Sequence, residues 1–277
     1  MRRWLAAAAA LCMVPAAPAA PVGFECLLEP WQVVEVRAPV EGVIATISVN
    51  RGDVVRSGQT LVELRSAPER LALASARYRA RMEGPIVTAR SRIEYAKKKL
   101  DRLIDLQKDN FASVQSRDEA EAEKRLAESE LQSATEAREL ARIEAERAQA
   151  QLALRTMAAP FAGVVVDRML NPGDLAEAGS GRKPMLKLAQ IDPIRADVAL
   201  PASMFGHVRA GTRAVITATV GGGQFKGVVR SVDKVIDAAS STFVARVEVP
   251  NPRGQVPGGS RCVASIEGLA PLPRGRP

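Results

Sequence analysis

Apolar residues at Ile86, Ala89, Ile93, Ala96, Leu100 and Leu103 alternate spacings of three and four, the seam of a helix that packs along a second one. Further on, Ala120, Ala127, Ala134, Ala141 and Ala148 recur every seven residues, with Leu131, Ala145 and Leu152 at the alternate position. Small side chains there let two helix axes approach closely. The stretches 67–110 and 114–156 flank Phe111-Ala112-Ser113; the first carries 11 Lys/Arg against 6 Asp/Glu and the second 7 against 10. Nearly equal lengths with opposite charge excess predict an antiparallel coiled-coil hairpin over 67–156. At 1.5 Å per residue it projects roughly 65 Å. Gly84-Pro85 should kink or break the first arm. Leu71 and Tyr78, seven apart but one position out of phase with Ile86, fit a seam that runs in a shifted register before the break.

On either side of this insert the period changes from helix to strand. Residues 38–58 (APVEGVIATISVNRGDVVRSG) and 159–179 (APFAGVVVDRMLNPGDLAEAG) are identical at eight positions at a fixed offset of 121. Each copy reads strand, Gly, strand, turn, strand. Asn171-Pro172-Gly173-Asp174 has Pro and Gly where a type II turn needs them, and Asn50-Arg51-Gly52-Asp53 keeps the Gly. Neither copy holds a phosphate-cradling motif. Three short strands cannot bury a core alone, so the two copies should face each other as one small sandwich. After the second copy come short alternating segments at 194–200, 213–219, 225–232, 242–249 and 261–267. Phe243, Ala245, Val247 and Val249 point one way, while Arg246 and Glu248 point the other. Gly221-Gly222-Gly223, Asn251-Pro252-Arg253-Gly254 and Pro257-Gly258-Gly259 supply turns, and five or six such strands make a small β-barrel.

At the N-terminus, Met1-Arg2-Arg3, an apolar run from Trp4 to Val14 and the sequence Ala17-Pro18-Ala19 form a secretory signal cleaved after Ala19. The run is too short to span a membrane, and Leu11 before Cys12 is not the small residue that precedes a lipidated cysteine. The mature chain is therefore expected to be exported and soluble. Composition narrows the function further. Of 277 residues only 4% are aromatic, one is histidine (His207) and three are cysteine. No four-ligand His/Cys zinc site can be assembled from these, and the usual histidine equipment of acid/base enzymes is missing; His207 reads as a surface-turn residue.

This order of parts resembles that of the periplasmic adaptor proteins, also called membrane fusion or HlyD-like proteins. The matching pieces are APVEGVI with VNRGDVVRSGQTLVEL, AAPFAGVV with NPGD, and VIDAASSTFVARVEVPNPRGQVPGG. The resemblance implies an elongated α+β chain: signal peptide 1–19; β-barrel from 20–30 plus 192–268; split lipoyl-like barrel-sandwich hybrid from 31–66 plus 157–191; helical hairpin 67–156; loose tail 269–277. It implies a periplasmic adaptor subunit of a tripartite efflux or secretion system, joining an inner-membrane transporter of the RND or ABC type to a TolC-like outer-membrane channel. Self-assembly into a ring of six is the family-derived expectation. At the hairpin tip, Arg102-Leu103-x-x-Leu106-x6-Ser113 resembles the RLxxLxxxxxxS pattern with which adaptors meet the channel. The plainer reading of the same residues is that Leu103 is seam, Leu106 packs under the turn and Ser113 caps the returning helix. Many adaptors continue into a membrane-proximal domain, whereas this sequence ends about ten residues after the last strand; pump contact is then expected from the barrel, from another subunit, or not in the usual way.

Two other functions compete on the same residues. A lipoyl or biotinyl carrier, part of an enzyme, displays a lysine at the turn between its halves, and here Arg65-Ser66-Ala67 stands there; Lys187 lies in a strand-like run. The chain's net charge of +8 raises nucleic-acid binding, but Lys97-Lys98-Lys99 is followed by Asp101 and Asp105, and stacking aromatics are scarce. The expectation is a non-enzymatic protein with no cofactor, no metal and no nucleic-acid partner. Cys26 shares a strand face with Phe24 and Leu28, and Cys262 shares one with Ala264 and Ile266. Both thiols should enter the same barrel core, either as free buried cysteines or, as export and an even count favour, as a disulfide.

Overall fold

The computed structural model describes residues 23–179 and 181–269; the signal at 1–19 and the tail beyond Leu269 lie outside the described residues. In chain order the strands and helices are β1 (Phe24–Val36), β2 (Gly42–Ile47), β3 (Val54–Val55), β4 (Thr60–Leu64), α1 (Ala67–Ala80), α2 (Gly84–Lys108), α3 (Val114–Ala153), β5 (Thr156–Ala158), β6 (Gly163–Arg168), β7 (Leu175–Ala176), β8 (Leu186–Pro201), β9 (Arg213–Ala218), β10 (Gln224–Val232), β11 (Thr242–Val249) and β12 (Ser260–Ile266). They form two compact units, one from the residues up to Val34, Ala162–Val164 and those from Ala189 onward, the other from Glu35–Phe161 and Val165–Leu188. No helix of the described residues is long and apolar enough to cross a membrane.

The first unit is a barrel. Strands β1, β12, β9, β10, β11 and β8 follow one another, and β8 pairs back onto β1. The alternation along β11 sends Phe243, Ala245, Val247 and Val249 into the core, where they join Cys26, Leu28, Ile194, Leu200, Ile216 and Ile266. With few rings available, the interior is filled by Ala, Val, Leu and Ile, and the backbones come close. At Gly227 a Cβ would lie 2.6 Å from Val247 Cγ1 and 2.9 Å from the Glu248 carbonyl oxygen. The Asn251–Gly254 turn is tied by a buried side chain: Asn251 Nδ2 donates to the carbonyls of Ile191 and Val256, each at 3.0 Å, and Oδ1 accepts from Val256 N at 3.1 Å. Outside the barrel, Arg195 pairs with Glu29 and Asp197, and Arg246 with Asp233. Burial pushes the Asp197 carboxyl up despite the opposing pull of Arg195.

In the second unit the two sequence copies interlock reciprocally. Gly52 N donates to Val165 O at 2.8 Å and Val165 N to Asp53 O at 2.9 Å; at the equivalent positions, Gly173 N donates to Ile44 O and Ile44 N to Asp174 O, both at 2.9 Å. The turns are chemically alike as well: Asn50 N donates to Asp53 Oδ2 at 2.7 Å and Asn171 N to Asp174 Oδ2 at 2.8 Å. Gly52 and Gly173 have φ of 91° and 95°, the left-handed backbone the turn demands. Each copy thus supplies hydrogen bonds that the other lacks, around a core of Ile44, Val55, Leu61, Val62, Leu64, Val165, Leu186 and Leu188.

Between the copies stands the helical hairpin. Ile86, Ala89 and Ala96 of α2 are buried, as are Ala120, Ala127 and Ala145 of α3, along the seam the heptads define. Basic residues of the outgoing arm meet acidic ones of the return: Arg79 with Glu144 at 3.2 Å, Arg92 with Glu130 at 2.6 Å and Lys99 with Glu123 at 2.7 Å. The outgoing arm breaks at Arg81–Glu83, and Pro85 sits in the first turn of α2, where its missing N–H costs nothing. One expectation needs correction. Leu71 and Tyr78 are not seam residues: they are 73% and 72% exposed, and α1 instead buries Leu73 and Ala76. The non-helical residues at the break reset the helical phase, so the face meeting α3 cannot be extrapolated back from Ile86.

Candidate functional site

At the tip, α2 closes with both hydrogen bonds of a Schellman motif. Phe111 N donates to Leu106 O at 2.8 Å and Asn110 N to Gln107 O at 3.0 Å. Asn110 takes the left-handed position with φ 61°, which asparagine tolerates better than most residues. After two more residues Ser113, in extended conformation, opens α3, its Oγ accepting from Ser116 N at 3.1 Å. The turn is therefore fixed at both ends by local chemistry.

Arg102 is exposed on α2, with Nε donating to the Lys98 carbonyl at 3.2 Å. Leu103 is half-buried, as a seam residue would be, and Ser113 is a helix cap. Leu106 is not packed under the turn; it is 45% exposed. The four motif residues fall on the last two turns of α2 and the first residue of the return. Sequence reasoning passed over their apolar neighbours: Phe111 is 81% exposed and Val114 is 56% exposed. With Leu106 they form an apolar crown on a charged stalk. The signal was an aromatic residue inside a tight turn, in a chain with very few aromatics. Below the crown a groove of about 600 Å³ is lined by Leu100, Ile104, Lys108, Arg117, Glu121 and Lys124. The hydrogen bond to Asp105, 2.9 Å away, holds the Lys108 ammonium above its usual range.

In the barrel, Cys26 and Cys262 stand directly opposite on β1 and β12. Their Cα atoms are 4.9 Å apart and their sulfurs are bonded. Both are buried among Phe24, Leu28, Ala264 and Ile266. Lys187 lies half-buried in β8, and Arg65-Ser66-Ala67 leads into α1. Among the described residues no cluster of His, Cys, Asp and Glu has the grouping of a metal site.

Residues 32–180 match the model of the CzcB-like barrel-sandwich hybrid domain, and residues 194–267 that of the CusB-like β-barrel domain. The chain belongs to the membrane fusion protein family. Among curated members, it is 25% identical over 251 residues to the multidrug resistance protein MdtE of Escherichia coli K12, covering 86% of this chain and 62% of MdtE. It is 24% identical over 212 residues to the cation efflux system protein CzcB of Alcaligenes sp. CT14, covering 76% of this chain and 38% of CzcB. This membrane fusion protein thus spans about three fifths of the length of MdtE and under two fifths of that of CzcB. The same fold is found in MacA from Actinobacillus actinomycetemcomitans, with TM-score 0.69 and 22% identity over 88% of this chain and 77% of MacA. It recurs in the membrane fusion protein Spr0693 from Streptococcus pneumoniae R6, with TM-score 0.61 and 18% identity over 90% of this chain and 100% of Spr0693.

Proposed function

We propose that this membrane fusion protein is the periplasmic adaptor of a tripartite efflux system, a non-enzymatic part that links an inner-membrane transporter of the RND or ABC type to a TolC-like outer-membrane channel. The observation that carries the reading is the crown of Leu106, Phe111 and Val114 at the end of a hairpin that α3, with its 40 residues, extends over roughly 60 Å. Exposed apolar residues clustered on a polar stalk mark a contact made with another protein. Arg102 and the groove lysines below it would meet the acidic or carbonyl-rich part of the same surface. The names of the relatives, a multidrug resistance protein and a cation efflux protein, favour efflux over secretion. Delivery to the periplasm would follow from the signal at 1–19.

A single hairpin cannot enclose a conduit, so the mechanism requires several copies in a ring. Two outward stripes support this. On α1, Leu71 and Tyr78 are exposed seven residues apart, with Met82 exposed in the break that follows; on α3, Leu140 and Ile143 are exposed, with Leu154 just past its end. Each stripe lies on the side of its helix turned away from the seam, and the Arg79–Glu144 pair puts the two at similar heights on the hairpin. Stripes on opposite sides suit head-to-tail contacts, which close into rings. Tyr78→Cys and Ile143→Cys chains, mixed and oxidised in the presence of the partners, are expected to form a disulfide between different copies. Neither variant alone should do so. A complex in which one adaptor copy serves one channel would contradict the conduit mechanism.

A further inference from the structure

We infer that Arg155 is the positioning residue that fixes the direction in which the hairpin leaves the barrel-sandwich hybrid, and that Gly42 is a glycine in order to make room for it. The chain crosses between the two parts only at 64–67 and 153–156, a connection that backbone alone leaves free to hinge. At this crossing Arg155 Nη1 donates to the Glu41 carbonyl at 2.8 Å and Nη2 to Glu69 Oε1 at 2.6 Å. Its own carbonyl accepts from Leu64 N at 2.8 Å, beside a 2.8 Å bond from Arg65 N to Val43 O. One guanidinium therefore joins the end of α3, the first turn of α1 and the chain entering β2. Both charged side chains are largely buried, at 22% and 20% exposed.

Two further observations set this pair apart from the many exposed pairs along the hairpin. Glu69 Oε2 is buried with no hydrogen-bond partner among the described residues, so Arg155 is the group that compensates this carboxylate, and separating them leaves a buried charge unpaired. At Gly42 a Cβ would lie 2.6 Å from Arg155 Nη1. Gly42 is not among the residues with positive φ, so the absence of a side chain there serves space rather than backbone freedom. The fork geometry matters because a guanidinium holds two acceptors at fixed angles, whereas an ammonium does not. The hairpin is also a long lever: over roughly 60 Å, a tilt of about 10° at its foot moves the tip by about 10 Å. That exceeds the reach of any docking contact.

The inference rests on the tip being the docking end, but its test does not involve the channel. Spin labels at Arg51→Cys in the sandwich and Gln132→Cys on α3, on the purified chain with its native cysteines bridged, report the spread of hairpin directions as the width of the interspin distance distribution. Arg155→Gln and Glu69→Gln are expected to at least double that width, and Arg155→Lys to widen it partially, with helix content unchanged. Gly42→Ala removes no charge and bears chiefly on the guanidinium, with a second, milder contact at 3.3 Å to Leu64 Cδ1, so it keeps the test decisive if Arg155→Gln fails to fold; it too is expected to widen the distribution. A Gly42→Ala width equal to that of the parent overturns the inference, whatever Arg155→Gln does. In cells, Gly42→Ala should lower transport severalfold at unchanged protein level. If the width doubles while no variant of the tip affects transport, the pin stands and the docking reading falls.

Discussion

Arg102→Asp is expected to reduce transport to the level of cells lacking the protein, while export, helix content and thermal midpoint stay near those of the parent. The side chain is exposed and its one intramolecular bond is to a carbonyl of its own helix, so little folding energy depends on it. A surface charge change away from the helix ends stays within about 0.5 kcal/mol, small beside the 5–15 kcal/mol of a typical domain. Loss of transport would then reflect a lost contact with a partner. Two companions separate docking from structure. Phe111→Asp should match Arg102→Asp, because a ring that is 81% exposed supports little of the fold. Ser113→Ala should cost about 1 kcal/mol through loss of the cap and reduce transport only mildly. Unchanged transport in Arg102→Asp, measured by substrate accumulation at equal protein level, would remove the motif from the docking surface.

The second large effect belongs to the barrel. Replacing Cys26 and Cys262 together by Ala is expected to destabilise the protein by about 2–5 kcal/mol, since the bridge closes a very long loop and restricts the unfolded chain accordingly. The bond joins residues 236 apart, and it ties the first strand of the barrel to the last. At such lengths the thermal midpoint should fall by roughly 10 °C, and the parent in reducing buffer should unfold like the double variant. Protein exported to the periplasm and unfolded without reductant should show no alkylatable thiol at either position. Two reactive thiols there would contradict the bridge.

The hairpin was legible because a heptad seam is local: Ile86, Ala89 and Ala96 on α2, and Ala120 and Ala127 on α3, are each marked by spacing within their own helix. The sandwich was legible because its turns require particular residues, and Gly52 and Gly173 stand at the same place in both copies. Features set by tertiary structure leave no such local mark. The face of α1 depends on how the helix restarts after Arg81–Glu83, and no periodicity carries through a break. Phe111 and Val114 were overlooked because exposure is decided by the path of the turn, which follows from the left-handed backbone at Asn110. Arg155, Glu69 and Gly42 are separated by tens of residues, and nothing in the order of residues says that a guanidinium will need the space beside one glycine.

The central claim is that the crown of the hairpin rests on an outer-membrane channel. A photo-activated cross-linking residue at position 111 in living cells tests this directly, with position 126, exposed lower on α3, as the control. The account predicts an adduct from position 111, identified by mass spectrometry as a subunit of an outer-membrane channel, lost when Arg102→Asp is added and absent from position 126. An adduct formed equally from both positions, or none with any outer-membrane channel while transport is active, would contradict it.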